Sequence, residues 1–330
     1  MDTMTQGLLG AVAAASLAKK GETARAVVAG GVAGALADSD VFWAGLDPGV
    51  TGLLLHRHFT HALAFIPLGA LAALILSKIF VRRLAFKRLF LFCLAAYATH
   101  AILDCCTSYG TPYFMPFTDR RIAWDFVSII DPLVSGPLFL LMAGAFFLDR
   151  RRLAAAGLVW CVLYIGVLGV SAHHLAMTEA RARASARGDR VERIRVLPSL
   201  GNLLLWRSIC ETGGEIQIDA VRLTFSGPNR FYPGPRVKGF DPARDLPNIP
   251  KDSPLARDLL RFDHFADGWL ARDPQDPDFV ADMRYAAIPN SSEALWGVRL
   301  GPPGATPVVE HRRDIRKRLF SEFWDMLWGG

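Results

Sequence analysis

From Ala62 to Leu76 the chain carries no charged side chain, and this run follows directly on His56-Arg57-His58-Phe59-Thr60-His61. A helix needs about 20 apolar residues to cross a bilayer, and the apolar character continues to Ile79, which predicts a spanning helix from about Phe59 to Ile79. In hydrocarbon every backbone polar group must be satisfied internally, so this stretch commits the surrounding chain to a helical membrane architecture.

The neighbouring sequence repeats the pattern. Met4 to Leu17 and Ala24 to Ala37 are apolar, separated by Lys19-Lys20-Gly21-Glu22, and each is short for a full crossing. A helical hairpin, tilted or partly re-entrant, is expected, with Gly7, Gly10, Gly30, Gly31 and Gly34 allowing close backbone approach. A loop with Gly45, Asp47-Pro48, Gly49 and Gly52 leads to the histidine cluster. Further spans are expected over Leu89 to Asp104, Leu133 to Leu148 and Leu153 to Ala172.

Hydrophobic residues make up 52% of the chain, concentrated before residue 173, and the net charge of +6 lies largely in short segments between apolar runs. Cations so placed orient membrane helices, and no zinc-finger spacing is present, so nucleic-acid binding is set aside. Cys93, Cys105, Cys106, Cys161 and Cys210 form no CxxC pair or disulfide framework, and the N-terminus lacks the charged region and cleavage pattern of a removable signal. If the basic segments Lys19 to Arg25, Lys78 to Arg88 and Arg150 to Arg152 share the cytoplasmic side, then Asp38, Asp40, the histidine cluster, His100, Asp104 and Asp131 all emerge on the opposite face. The arginine-rich segment from Arg181 to Arg195 would lie on that face too, as long domains cross largely regardless of charge.

From about Arg190 the pattern changes. Ile194 to Leu197, Leu203 to Cys210 and Glu215 to Leu223 read as strands, with Thr212-Gly213-Gly214 as a hairpin turn. Pro-rich connections follow from Pro228 to Pro254, then a helix over Leu255 to Phe265, strands at Phe279 to Ala286 and Ala294 to Leu300, and a helix over Ile315 to Trp328 that packs on the domain or lies at the lipid interface. The expected fold is mainly α: a polytopic transmembrane bundle over residues 1–175, followed by a small α+β extramembrane domain over 190–330.

Imidazole is the commonest protein metal ligand, and ionisable groups at membrane depth are functional candidates. His100 and Asp104 stand four apart on one helical face, so a nitrogen and a carboxylate reach the same ion or adjacent ones. Asp38 and Asp40 stand two apart at a helix end and point the same way if extended. Taken singly, an Asp-x-Asp after a helix is ordinarily a cap or turn, and a lone His in an apolar helix is ordinarily hydrogen-bonded core. Taken together they form a His/carboxylate set suited to zinc, or to manganese or iron.

Several motifs carry a resemblance: Met1-Asp2-Thr3-Met4-Thr5-Gln6-Gly7, Asp38-x-Asp40-Val41-Phe42, His56-Arg57-x-x-Thr60-His61, His100-x-x-x-Asp104, Thr107-x-Tyr109-Gly110-Thr111, Pro116-Phe117 and Ile130-Asp131-Pro132-Leu133. In this order they resemble the YdjM-like inner-membrane metal-dependent hydrolase family. The resemblance implies metal ligation by Asp38, Asp40, His56, His61, His100 and Asp104 in the bacterial inner membrane. The motif order is also distantly similar to zinc-dependent phospholipase C and P1 nuclease, which implies phosphoester substrates. Many relatives carry a histidine where Gln6 stands, and His58 occupies a position usually small in the family.

The sequence therefore leads to a membrane metallohydrolase acting on a lipid-linked or membrane-proximal ester. Asp104 or Asp40 would bridge metals or accept a proton, and Arg57 and Arg121 would hold an anionic headgroup unless they merely snorkel to the interface. Two other classes stay open: a metal-ion transporter, against which Leu133 to Leu148 and Leu153 to Ala172 are almost purely apolar, and an anchor presenting the later domain to a partner.

Overall fold

The computed structural model describes residues 1–47, 49–302, 304–312 and 320–329. The chain divides into two compact units: Met1–Phe42, His56–Val170 and Leu200–Asn202 form the first; Trp43–Leu55, Ser171–Ser199 and Leu203–Gly330 form the second.

In the first unit α1 (Thr3–Ser16) and α2 (Thr23–Leu36) form the expected hairpin. Its intimacy comes from small residues: a Cβ at Gly30 would lie 2.4 Å from the Gly10 carbonyl oxygen and 2.6 Å from the Ala14 methyl. Asp2 caps α1, accepting the Thr5 N–H at 2.9 Å. Beyond α2 the chain tightens into a 3-10 turn over Ala37–Asp40 and then the short α3 (Val41–Ala44). Together they form a helix, Thr23–Ala44, long and apolar enough to cross a membrane.

The spanning helix expected from Phe59 begins later, as α5 (Ile66–Ser77). Phe59–His61 and Leu63–Phe65 are separate 3-10 turns on either side of an extended Ala62, so the histidine cluster is a folded turn at a helix mouth. α6 (Phe86–Cys105) is central, packing against α1, α2 and α5. α7 (Pro132–Leu148) starts on the Asp131 cap with proline in its first turn, and ends at Asp149 with left-handed backbone. The last helix is longer than expected: α8 (Arg151–Cys161), a π-helical stretch over Val162–Gly169 and α9 (Val170–Ala186) run as one helix, Arg151–Ala186.

Among the described residues, Thr23–Ala44, Phe86–Cys105 and Arg151–Ala186 are long and apolar enough to span, and the bent pair Val50–His61 and Leu63–Ser77 would supply a fourth; α7 is apolar but shorter. The basic segments meet at one end of this unit. Arg88 pairs with Glu22 at 2.5 Å, the Arg25 guanidinium donates to the Arg83 carbonyl, and the Gly21 N–H donates to Asp149.

The second unit corrects the expectation of a mainly α chain, since roughly half of the residues are helical and this part is built on two antiparallel sheets. β1 (Arg193–Pro198), β2 (Leu205–Thr212), β3 (Glu215–Arg222) and β4 (Arg230–Lys238) form one, in that order; β5 (Leu270–Asp273), β6 (Asp276–Asp282), β7 (Trp296–Arg299) and β8 (Val308–His311) form the other. Ile209, Ile216 and Ile218 of the first sheet share a core with Phe279 and Ala281 of the second. β4 falls in the Pro-rich stretch expected to be irregular. It is an edge strand paired only with β3, where Pro233 and Pro235 break fewer ladder bonds than they would centrally.

The Gly-bearing loop after α3 contains α4 (Val50–Leu55), which packs on α11 (Pro254–Phe265). A single turn, α10 (Pro242–Asp245), precedes α11. The C-terminal helix is described as α12 (Phe320–Trp328), and the part expected over 315–319 lies outside the described residues. Phe323, Met326 and Leu327 pack on Leu205 and Ala220, so this helix docks on the domain.

Candidate metal centre

Four side chains from three places in the sequence meet inside the first unit. The 3-10 turn after α2 sets Asp38 inward, the Phe59–His61 turn delivers His61, and one face of α6 delivers His100 and Asp104, all four buried. One ligand atom from each lies within 4.8 Å of all the others. His61 Nε2 is 3.4 Å from Asp38 Oδ1 and 3.3 Å from Asp104 Oδ2; His100 Nε2 is 3.3 Å and 3.5 Å from the same two oxygens. The two Nε2 atoms are 3.0 Å apart. Ligands about 2.0–2.1 Å from a tetrahedral ion stand about 3.3 Å from one another, and these five separations lie near that value.

The surrounding hydrogen bonds decide what this set needs. His100 Nδ1 faces the Gly34 carbonyl at 2.6 Å, so it carries a proton and donates. Thr60 Oγ1 donates to Asp40 Oδ2 at 2.9 Å and accepts from His61 Nδ1 at 2.9 Å. With Nδ1 protonated in both neutral rings, both Nε2 lone pairs point into the cluster, an assignment made from the network.

The carboxylates are turned the same way. Asp38 Oδ2 accepts from Thr3 Oγ1 at 2.7 Å. Asp104 Oδ1 receives the Met1 amino group at 2.5 Å, Gln6 Nε2 at 2.8 Å and Arg57 Nη2 at 3.2 Å, while its Oδ2 is buried without a hydrogen-bond partner. With those tautomers four acceptors converge, and a buried acceptor left alone, as Asp104 Oδ2 is, costs about 1–3 kcal/mol. A bound cation resolves that debt, and the His2Asp2 donor set fits a divalent transition ion.

Asp40 and His56 form a neighbouring pair. Asp40 Oδ1 binds His56 Nδ1 at 2.8 Å, and Asp40 Oδ2 accepts the Arg57 backbone N–H at 2.9 Å. The His56 side chain is 29% exposed, unlike the four buried residues of the cluster. Arg57 adopts left-handed backbone at φ +57°, uncommon for a residue with a side chain. Its guanidinium donates to Thr107 Oγ1 at 3.1 Å and lies 4.8 Å from the Tyr109 ring centroid.

The model of the YdjM inner membrane protein family matches residues 1–175, more than half of the chain. The chain belongs to the YdjM family of inner membrane proteins. No curated protein and no solved structure matches it.

Of the six ligands expected in this YdjM chain, Asp38, His61, His100 and Asp104 come together, and Asp40 and His56 stand outside that set. Gln6 orients Asp104 through its amide nitrogen, while its Oε1 is buried without a hydrogen-bond partner. His58 is half-buried and outside the four-residue set. Arg121 sits 5.3 Å from the Tyr109 ring centroid. Sequence reasoning did not single out Thr3, Thr60, Tyr97 or Thr107 for a role. Thr60 was legible as the hydroxyl beside His61; Tyr97, whose hydroxyl donates to the Thr60 carbonyl at 2.8 Å, was not, because nothing local links it to that turn.

Proposed function

We propose that this YdjM protein is a metal-dependent hydrolase of a membrane-proximal ester, with a phosphoester or lipid headgroup as substrate. The observation that carries the reading is the convergence of buried side chains from Asp38, His61, His100 and Asp104, with Asp104 Oδ2 lacking a hydrogen-bond partner. These four residues would hold zinc, or manganese or iron, and the chemistry such an ion supplies is polarisation of the ester and activation of water.

The chain's own residues supply the rest. Asp40 accepts the Nδ1 proton of the partly exposed His56 and leaves Nε2 free of that bond, able to take a proton from water and return it to the departing oxygen. Arg57 faces the cluster through Asp104 and offers positive charge to an anionic substrate. Exposed Phe59, Phe114, Phe117 and Trp124 rim the same end, since the loop bearing the last three is tied back by the Trp124 N–H to Cys105 and by Tyr113 to the Leu63 N–H. Aromatic rings of this kind favour the headgroup region, which supports an interfacial substrate. The gathering of Lys19–Arg25, Lys78–Arg88 and the Asp149 turn at one end of the unit supports a cytoplasmic basic end and an extracytoplasmic site.

The test is elemental analysis of purified protein beside His61→Ala and Asp104→Asn, followed by a screen of phosphoester and acyl-ester lipids with and without chelator. Unchanged metal content in both variants, or turnover indifferent to chelation, would remove the reading.

A further inference from the structure

Tyr109 lies between two arginines and a histidine. The Arg57 and Arg121 guanidinium carbons are 4.8 Å and 5.3 Å from its ring centroid, and the His56 ring centroid is 5.8 Å away. The loop is shaped to bring them there: Thr111 and Ile122 exchange both backbone hydrogen bonds, at 3.0 Å and 2.9 Å, which returns Arg121 beside Tyr109. Gly110, at φ +81°, turns its carbonyl to accept from Arg121 Nη2 at 2.8 Å.

Arg57 is 4% exposed at its side chain, and its Nε is buried without a hydrogen-bond partner. Tyr109 and Arg121 are half-buried, and Arg57 Nη2 lies 3.2 Å from Asp104.

We infer that Arg57, Tyr109 and Arg121 form a phosphoryl-binding subsite for the substrate of the proposed metal centre. This rests on the hydrolase reading above and assigns the residues that hold the phosphoryl group of its substrate. An acyl ester is neutral and offers two guanidinium groups no charge, whereas the non-bridging oxygens of a phosphoester are anionic and accept charge-assisted hydrogen bonds. The tyrosine ring holds both guanidinium planes by cation–π contact, so they are positioned before the anion arrives.

The experiment is calorimetric titration of the full-length, detergent-purified protein with orthophosphate, with metal content measured on the same samples. Arg121→Gln is expected to bind orthophosphate at least about tenfold more weakly with metal content unchanged, because a charge-assisted contact is lost. Arg121→Lys, which keeps the charge and the fold but not the fork, is expected to fall between. Orthophosphate binding that is equal in the parent and both variants, or undetectable in the parent, overturns the subsite. Binding that depends on Arg121 in a protein without metal would sustain the subsite and remove the metal reading, so the two failures are distinguishable. Titration with glycerol 3-phosphate and with phosphatidate in mixed micelles then assigns the source: tighter binding of phosphatidate identifies a lipid headgroup, and equal binding a soluble phosphoester.

Discussion

Replacing Thr60 by valine would test the network around the metal centre without touching a ligand. The Thr60 hydroxyl donates to Asp40 Oδ2 and accepts from His61 Nδ1, each at 2.9 Å, and so fixes which nitrogen of His61 is free to face the cluster. Valine keeps the shape and the β-branching but takes both bonds away. The nearest remaining acceptor for His61 Nδ1 is Asp40 Oδ2 at 3.4 Å, which recovers part of the loss only if the ring turns. A ring that turns carries Nε2 off the point it shares with Asp38 and Asp104. Loss of an outer-shell partner of a ligating histidine typically costs about 10–100-fold in metal affinity, or about 1.4–2.7 kcal/mol. The assay is metal retention after equilibration in graded chelator buffers, with folding followed by monodispersity in detergent. A folded Thr60→Val protein that retains metal like the parent would refute the argument that this hydroxyl sets the His61 tautomer.

Chelation is expected to lower the thermal midpoint of the parent and leave His61→Ala unmoved, since an ion at 100 times its dissociation constant stabilises the folded state by about 2.7 kcal/mol; equal shifts in both would place the ion elsewhere. Gly30→Ala is expected to destabilise by about 1–3 kcal/mol and weaken metal retention, because its Cβ meets the Gly10 oxygen at 2.4 Å, whereas Gly31→Ala, whose Cβ meets only the Gly7 oxygen at 3.9 Å, is the tolerated control in the same thermal melts. In the second unit, burial alone would raise the Asp189 carboxyl, and hydrogen bonds from Arg187 at 2.8 Å and Arg236 at 2.7 Å outweigh it and hold it below the usual carboxylate range. A lowered folded-state value means stability present above the unfolded value of about 3.9 and lost as pH falls through the folded one. The stability gap between the parent and Asp189→Asn is therefore expected to close in thermal melts taken below about pH 4; a gap independent of pH would show that the pair is not ionic.

Much of the fold was legible because its signals are local. The apolar runs gave the helices of the first unit, and alternation with Thr212-Gly213-Gly214 gave the β2–β3 hairpin. The end of the long last helix was placed too early, at Ala172. It continues past Ala172 until Gly188, whose left-handed backbone lets its own N–H reach the Ser185 carbonyl and the Asp189 N–H reach that of Ala184. β4 was hidden by its prolines, which penalise a central strand but not this edge position. The bend ahead of α5 was hidden as well, since Phe59-Thr60-His61 is compatible with a helix start in sequence and becomes a separate turn only through Asp40 and Tyr97.

The metal centre divides along the same line. By itself the sequence determined that His100 and Asp104 share a helix face, since a four-residue spacing is a property of the helical backbone, and that Asp38 and His61 emerge at the same end of the bundle, since alternating spans permit nothing else. Only the tertiary structure decided that these four atoms approach to within 4.8 Å while Asp40 turns to His56 and Arg57. That choice depends on a 3-10 turn after α2, on the closeness of α1 and α2 at their glycines, and on a Gly34 carbonyl that fixes His100. Those are contacts between residues dozens of positions apart, which no local periodicity encodes.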